Sequence, residues 1–401
     1  MAALKYWIWL TALPGLTNHA RLLLLDHFGS PENIYYAEKE ELLLVEGLGT
    51  AQASLAANRS LTAADTILGD CERLGIHVLT MQDAAYPQRL RNIFDTPVIL
   101  YWKGQLPLFD EEAAVAVVGT RGCTPYGLQT AEQLGWEMTK QGALVVSGLA
   151  KGIDAASHRG ALRAGGATAA VLGGGIDVIY PAENNGLFAD IETAGVLLSE
   201  YPPGTEAVGN HFPARNRIIS GLCLATVVVE APERSGALIT ANTALEQGRE
   251  VFAVPGPINA PNSRGCNALI RDGAGIVTGS WDVLCEYQSR YPHKLRQSEQ
   301  RMQENPGYEA RVRRAEEAAR PAQPVSQRTV LDLSGSHDLT EDQTVVIRAL
   351  PTEEPLLPDE VAEKTELPIR RVLSALTILE INGFAMQQGG RRFVRTVDLK
   401  E

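Results

Sequence analysis

The stretch AAVAVVGTRGCTPYGLQTAEQLGWEMTKQGALVVSG, residues 113–148, decides the fold. It begins with a short run of Val and Ala, turns at Gly119-Thr120-Arg121-Gly122, continues with a helical pattern over residues 126–141, and ends in a second apolar run. Two continuous apolar runs separated by a helix are typical of neighbouring parallel strands whose crossover helix covers the sheet. The stretch therefore predicts one strand–helix–strand unit of an α/β domain.

The same alternation continues as far as residue 254. Short runs rich in Val, Ala and Leu recur, and most are followed by a Gly- or Pro-bearing turn and a helical pattern, such as residues 237–247. The predicted strands are residues 113–118, 143–147, 167–172, 196–199, 225–230 and 251–254. This pattern predicts a doubly wound parallel sheet, in which ligands bind beyond the carboxyl ends of the strands.

The length, composition and charge of the chain limit the number of domains and the classes of protein it can belong to. The chain has 401 residues, which suits two or three domains, and its 45% of apolar residues suffices for buried cores. A net charge of −12 argues against a general nucleic-acid coat but is compatible with a local basic site. No apolar run reaches the roughly 18–20 residues of a membrane span. By segment, the net charge is −5 for residues 1–111, −6 for 112–287, +2 for 288–338 and −3 for 339–401.

Residue types that carry catalysis or bind metals show no organised pattern. The five cysteines are scattered without a C-x-x-C pair, and their odd number suits a reducing cytoplasm. The seven histidines lack metal-ligand spacing, so the sequence predicts no metal and no cofactor. Neither G-x-x-x-x-G-K-[ST] nor G-x-S-x-G occurs, so no catalytic residue is predicted. Binding fits this chain better than bond breaking.

The remaining segments predict a multidomain chain. Residues 1–65 form a helical, helix-hairpin-helix-like (SAM-like) domain, and residues 66–111, also helical in character, extend the core that ends at 287. The basic, Pro-bearing residues 288–338 are predicted to be a linker. Residues 339–401 are predicted to be a winged-helix domain. Its helical patterns cover residues 339–350, 358–365 and 369–382, and its strand-like tail covers 384–396 with a turn at Gly389-Gly390.

Two kinds of DNA contact outside the sheet stay open at this point. The turns at residues 13–16 and 45–49 resemble hairpins whose glycine amides approach a DNA phosphate, but the acidity of the segment favours the alternative of two tight turns in a small helical bundle. The last segment carries arginines that meet phosphate, or it docks a protein or dimerises. These arginines are Arg370, Arg371, Arg391, Arg392 and Arg395.

Anion-binding chemistry is concentrated in turns at the predicted carboxyl edge of the sheet. Gly119 allows close approach to an anion, the following helix start offers free amides, and Arg121 adds a bidentate fork. Lys151 is predicted to face phosphate, and Asp154 to cap the next helix. A further turn combines Phe212 with two arginines, a pairing suited to single-stranded nucleic acid, although a core phenylalanine with internal salt bridges is the alternative. The remaining turns are Gly173-Gly174-Gly175 and Ser235-Gly236.

Four of these turns carry a resemblance to the DNA-processing protein A family, also called DprA or Smf. The matching motifs are VVGTR at 117–121, SGLAKGID at 147–154, FPARNRIISG at 212–221 and SGALITA at 235–241. They occur in this order within about residues 85–287, and the flanking domains resemble those of longer family members. The match is specific because four long motifs coincide.

The resemblance implies a cytoplasmic protein with a Rossmann-like domain. Such a protein binds single-stranded DNA in natural transformation and DNA recombination, protects the incoming strand, loads RecA recombinase onto it and forms homodimers. With Lys151 included from its turn, the predicted DNA-binding residues are Gly119, Thr120, Arg121, Ser147, Gly148, Lys151, Phe212, Arg215, Asn216, Arg217, Ser235 and Gly236.

Two departures from the family pattern lower the expected affinity. Many relatives carry a lysine where this chain has Gly209, and some carry a basic residue after the Tyr-Pro pair, where this chain has Ala182 and Glu183. Fewer positive charges predict weaker phosphate binding and a flatter salt dependence.

Two rival functions belong to other classes. One is a nucleotide-hydrolysing enzyme of the related Rossmann-like phosphoribohydrolase type, but residues 232–240 lack the Gly-Thr step of its P-G-G-x-G-T-x-x-E pattern. The other is a transcription regulator that acts through the winged helix.

Overall fold

The computed structural model describes residues 2–297, 330–332, 339–352, 355–388 and 392–400. The chain divides into two compact units, Met1–Ala319 and Arg320–Glu401. No helix among the described residues combines the length and apolar character needed to cross a bilayer.

The first unit combines an N-terminal group of helices with an α/β sheet. Its helices are α1 Ala2–Ala12, α2 Asn18–Phe28, α3 Pro31–Tyr36, α4 Lys39–Leu43, α5 Thr50–Ala56, α6 Thr62–Leu74, α7 Gln88–Arg91, α8 Pro125–Lys140, α9 Ile153–Arg163, α10 Asn185–Ala194, α11 His211–Gly221, α12 Gly236–Glu246, α13 Arg264–Arg271 and α14 Trp281–Leu284. Its strands are β1 His77–Thr80, β2 Ile99–Gly104, β3 Ala114–Val118, β4 Leu144–Ser147, β5 Thr168–Leu172, β6 Val196–Ser199, β7 Ala225–Val228, β8 Glu250–Ala253 and β9 Gly275–Ile276.

These strands form one sheet in the order β1-β2-β6-β5-β4-β3-β7-β8-β9. Strands β3 to β9 pair in parallel, with Val115 opposite Val145 on one side and Ala225 on the other. The chain winds outward from β3 in both directions, so the doubly wound Rossmann-like fold is confirmed, and its switch point lies between β3 and β7.

The structure corrects two expectations about this sheet. The segment 66–111, predicted to be helical, contributes β1 and β2, and these pair antiparallel with each other and with β6, so the sheet is mixed. The edge strand β1 is short and partly exposed, so its sequence lacks the continuous apolar run of the central strands. Strand β9, which comprises two residues, was also missed.

Helices cover both faces of the central sheet. Along β3, Ala114, Ala116 and Val118 join one hydrophobic cluster, while Val115 and Val117 join another. All five residues are buried. Because side chains alternate between the faces of a strand, a strand buried on both sides needs a continuous apolar sequence. This explains why the Val/Ala runs predicted the central strands.

The folded core extends beyond the predicted boundaries on both sides. Trp9 and Leu24 of the N-terminal helices belong to the same hydrophobic cluster as Leu197 of β6. Beyond residue 287, Tyr291 and Leu295 are buried against the sheet, so the predicted linker does not begin at 288. The rest of that linker lies almost entirely outside the described residues.

The second unit has the predicted winged-helix layout. Its helices are α15 Glu341–Ala349, α16 Pro358–Thr365 and α17 Ile369–Ile381, and its strands are β10 Val330–Asp332, β11 Ala385–Gln388, β12 Arg392–Arg395 and β13 Asp398–Lys400. Ile347, Val361 and Leu376 of the three helices share one core with Phe393 of β12. Strands β11 and β12 pair antiparallel, and β10 pairs in parallel with β13. The Gly389-Gly390 turn and Arg391 lie outside the described residues.

Candidate nucleic-acid groove

A groove of about 540 Å³ opens at the switch point of the sheet. It lies where the turns after β3 and β7 meet the beginnings of α11 and α12, which is where doubly wound folds bind ligands. Most of the predicted site residues line it: Gly119, Thr120, Arg121, Phe212, Arg215, Asn216, Ser235 and Gly236. Its charged lining residues are three arginines and one aspartate, a net of +2.

The turn after β3 is fixed by Glu230, which follows β7. The amide of Thr120 donates to the main-chain oxygen of Glu230 over 2.8 Å. The buried Glu230 carboxylate accepts from the Thr124 amide at 2.8 Å and from the Thr124 hydroxyl at 2.7 Å. Gly119 is required because a Cβ there would overlap Ile153 and the Glu230 carbonyl. The turn that carries Arg121 is therefore shaped before any ligand arrives.

Arg121 is exposed and stacks on an aromatic ring. Its guanidinium carbon lies 4.7 Å from the ring centroid of Phe212. The ring of Tyr180 also lies next to Phe212, with 5.4 Å between the ring centroids. A guanidinium stacked by its face keeps its N–H edge available, which is the geometry a phosphate needs.

Arg215 lies beneath the groove rather than at its surface. It is buried, and it donates from Nη1 to the main-chain oxygen of Gly148 at 2.8 Å and to that of Val171. Its Nε donates to Asn216 Oδ1 at 3.2 Å. Burial lowers the pKa of Arg215 to about 10. Arg215 thus places a buried positive charge beneath the groove and links the turn after β4 to strand β5.

Asp154 balances Arg215 and does not cap a helix. Helix α9 begins after Gly152, so Asp154 lies within its first turn, and the predicted capping role is wrong. Its carboxylate accepts instead from the amides of Ala150 and Gly148. Burial raises the pKa of Asp154, although Arg215 opposes that shift. The pair tightens the turn after β4.

The beginning of α12 forms the opposite side of the groove. Ser235 caps the helix by accepting from the Ala237 amide at 3.3 Å. The residue before it, Arg234, was missed by the sequence reasoning although it adjoins a recognised motif. It is exposed, it lines the groove, and its guanidinium forms no ion pair or hydrogen bond with any residue that the structure describes. Arg234 is a further cation available to a ligand.

Three predicted site residues point elsewhere. The buried Ser147 hydroxyl donates to the Val117 main-chain oxygen at 2.6 Å. Lys151 pairs with Glu183 at the surface. Arg217 donates to Asp95 at 2.9 Å and to Glu200 at 2.7 Å, as the salt-bridge alternative expected for this arginine. A fourth, Gly148, lies behind the groove against the guanidinium of Arg215.

The fold and the groove define a Rossmann-like α/β protein that also carries a winged-helix domain. Residues 77–288 match the family model described as DNA recombination-mediator protein A, and residues 317–391 match the DprA winged helix domain. The chain belongs to the DNA recombination-mediator protein A family. The resemblance expected from the four motifs is confirmed, and with it a role in DNA processing.

Relatives match over most of the chain. The DNA processing protein DprA of Streptococcus pneumoniae is 41% identical over 291 residues, which cover 72% of this chain and all of the relative. Protein Smf of a Synechocystis species is 34% identical over 399 residues, covering 97% of this chain and 98% of Smf. The X-ray structure of the Streptococcus pneumoniae protein superposes with a TM-score of 0.59 at 40% identity, covering 70% of this chain and 97% of that one.

Proposed function

We propose that this protein binds the sugar–phosphate backbone of single-stranded DNA in the groove at its switch point. The observation that carries the proposal is that the exposed guanidiniums of Arg121 and Arg234, which form no ion pair with any described residue, line one groove with the aromatic rings of Phe212 and Tyr180. Cations for phosphate next to aromatic surface for bases are the two requirements of a single-strand site. Membership of a DNA recombination-mediator family supports DNA as the ligand.

The overall acidity makes the binding local. With a net charge of −12, the chain repels duplex DNA outside the groove, and each molecule neutralises few phosphates. Tight binding therefore requires several molecules side by side on one strand. The larger role follows the family: protection of an incoming strand in the cytoplasm during natural transformation, pairing of two copies through the Rossmann-like domain, and loading of RecA recombinase.

We also propose that the groove binds without catalysis. The carboxylate that lines it, Asp154, accepts from main-chain amides and is stabilised by the charge of Arg215. Incubation of the protein with nucleoside monophosphates tests this directly. No free base is expected, and enzyme-dependent release of base would favour the phosphoribohydrolase alternative.

Titration of the full-length protein with labelled single- and double-stranded oligonucleotides at two salt concentrations tests the binding proposal. We expect preferential binding of the single strand, with sigmoidal isotherms on long strands and a shallow decline with salt. Equal affinity for both forms, or no binding of the single strand, would contradict the proposal. Strictly independent binding along a long strand would contradict the side-by-side arrangement alone.

A further inference from the structure

The two aromatic rings in the groove differ in what already covers them. The ring of Phe212 is approached by the guanidinium of Arg121, centred 4.7 Å from its centroid, and by that of Arg215 at 6.0 Å. Gly173 lies so close to the same ring that a Cβ there would come within 2.9 Å of it. Protein groups therefore already cover part of the half-buried Phe212 ring before DNA binds.

Tyr180 is open by comparison. It lines the groove with 44% of its surface exposed, and its ring is tilted by 36° from that of Phe212. No lysine or arginine among the described residues stacks on it. A nucleobase that stacks on Tyr180 displaces only water, whereas a base that stacks on the Arg121 side of Phe212 must first displace a cation–π contact.

We infer that Tyr180 is the residue on which a base of the bound strand stacks, and that Phe212 is a positioning residue that holds Arg121 against the phosphate. This inference rests on the proposed single-strand binding. It assigns base stacking to Tyr180 and the positioning of Arg121 to Phe212. Tyr180 can stack on any of the bases, because every base presents a flat π-face. Phe212 acts on the backbone of the strand through Arg121.

The two roles separate when the base is removed from the ligand. A strand with a continuous sugar–phosphate backbone but abasic sites retains the contact of Arg121 and loses the contact of Tyr180. Substitution of Tyr180 therefore weakens binding of an ordinary strand alone. Substitution of Phe212 weakens binding of both strands by the same factor, as loss of Arg121 does.

The experiment measures affinities of the full chain for an oligothymidylate and for an abasic strand of equal length. Tyr180→Leu is expected to lower affinity for oligothymidylate about tenfold, the effect of one stacked base, and to leave abasic binding unchanged. Tyr180→Phe keeps the ring and serves as the matched control, with affinity close to that of the wild type. Phe212→Leu is expected to lower affinity about fivefold for both strands.

A double substitution tests the dependence of Phe212 on Arg121. If Phe212 acts through Arg121, Arg121→Ala with Phe212→Leu binds no more weakly than Arg121→Ala alone. Thermal unfolding of each variant checks that the groove is intact. A selective loss of base-containing strands in Phe212→Leu, with Tyr180→Leu unaffected, would overturn the inference while single-strand binding stands. Failure of the wild type to bind oligothymidylate would overturn the proposed function itself.

Discussion

Two pairs of arginines around the groove look alike in sequence and do different work. The rim arginines, Arg121 and Arg234, are exposed and form no ion pair with any residue in the described part of the chain. The wall arginines, Arg215 and Arg217, lie two residues apart on α11 and are enclosed by main-chain oxygens or carboxylates. A guanidinium whose donors are already used cannot also bind phosphate at full strength. The difference assigns ligand binding to the rim and scaffold stability to the wall.

Arg215→Met should have the largest effect on the stability of the protein. The substitution leaves the buried Asp154 without its counter-charge and removes the donor from the oxygens of Gly148 and Val171. We expect the free energy of unfolding to fall by about 3–5 kcal/mol at pH 7, because a buried carboxylate loses the compensating charge and buried main-chain oxygens lose their donor. Urea denaturation measures the loss. Arg121→Met is the matched control, with a change within about 0.5 kcal/mol.

The pH dependence of that loss gives an independent check. Burial holds the pKa of Asp154 above its usual value, so the stability it contributes is present below its unfolded pKa and is lost as pH rises through its folded pKa. Without Arg215, the pKa of Asp154 rises further. The stability gap between wild type and Arg215→Met should therefore widen from pH 5 to pH 7. A gap independent of pH would remove Asp154 from the explanation.

Among changes in binding, Arg121→Ala should have the largest effect. Loss of a charge-assisted phosphate contact of about 1.5–3 kcal/mol predicts at least a ~10-fold weaker affinity for single-stranded DNA. The salt dependence should fall by about one phosphate contact, because one fewer cation is neutralised. Fluorescence anisotropy at several salt concentrations measures both quantities. Unchanged affinity in a folded Arg121→Ala variant would rule out this groove as the DNA site.

Arg234→Ala should weaken single-strand binding less than Arg121→Ala does. Because Arg234 is exposed and lacks the aromatic support that Phe212 gives Arg121, it loses more side-chain entropy when it binds. We expect a loss of about threefold in single-strand affinity, roughly 0.6 kcal/mol, with unfolding unchanged. The same titration measures it. The exposed Arg271, which pairs with Asp272 and does not line the groove, provides the control substitution to alanine.

The central sheet could be predicted because burial on both faces demands continuous apolar runs, as in β3. The turns could be predicted because glycine before a helix beginning has a specific use at the switch point. The ion-pair partners of Arg217 could not be predicted, because Asp95 and Glu200 lie 122 and 17 residues away and meet it only after folding. Strands β1 and β2 were also missed, and the edge strand β1 is short and partly exposed, so its sequence lacks a continuous apolar run.

The contribution of Arg234 was missed for the opposite reason. It adjoins the SGALITA motif without belonging to it, and its sequence context, Pro232-Glu233-Arg234, does not show whether the guanidinium is paired. Arg234 becomes available to a ligand only because the fold places the beginning of α12 in the same groove as Arg121. Local sequence therefore predicted where the backbone turns, and tertiary contacts decided which side chains remain available to a ligand.

Lys151 lies between the two classes of arginine, because it is exposed yet paired with Glu183. Lys151 lowers the pKa of the Glu183 carboxyl, so the carboxylate is ionised and competes with phosphate for the ammonium. Glu183→Gln removes that competitor while it keeps the size of the side chain. We expect single-strand affinity to rise about twofold at low salt and the gain to vanish at high salt, where exposed charges are screened.

Glu192→Gln is the matched control for this substitution, since it breaks the pair with Lys103, and neither residue lines the groove. It should leave single-strand affinity unchanged at every salt concentration. Equal gains in both variants would assign the effect to the lower net acidity of the chain. A gain confined to Glu183→Gln would mean that Lys151 moves to the rim once it is released. In that case the pair with Glu183 is what keeps this exposed cation from the ligand.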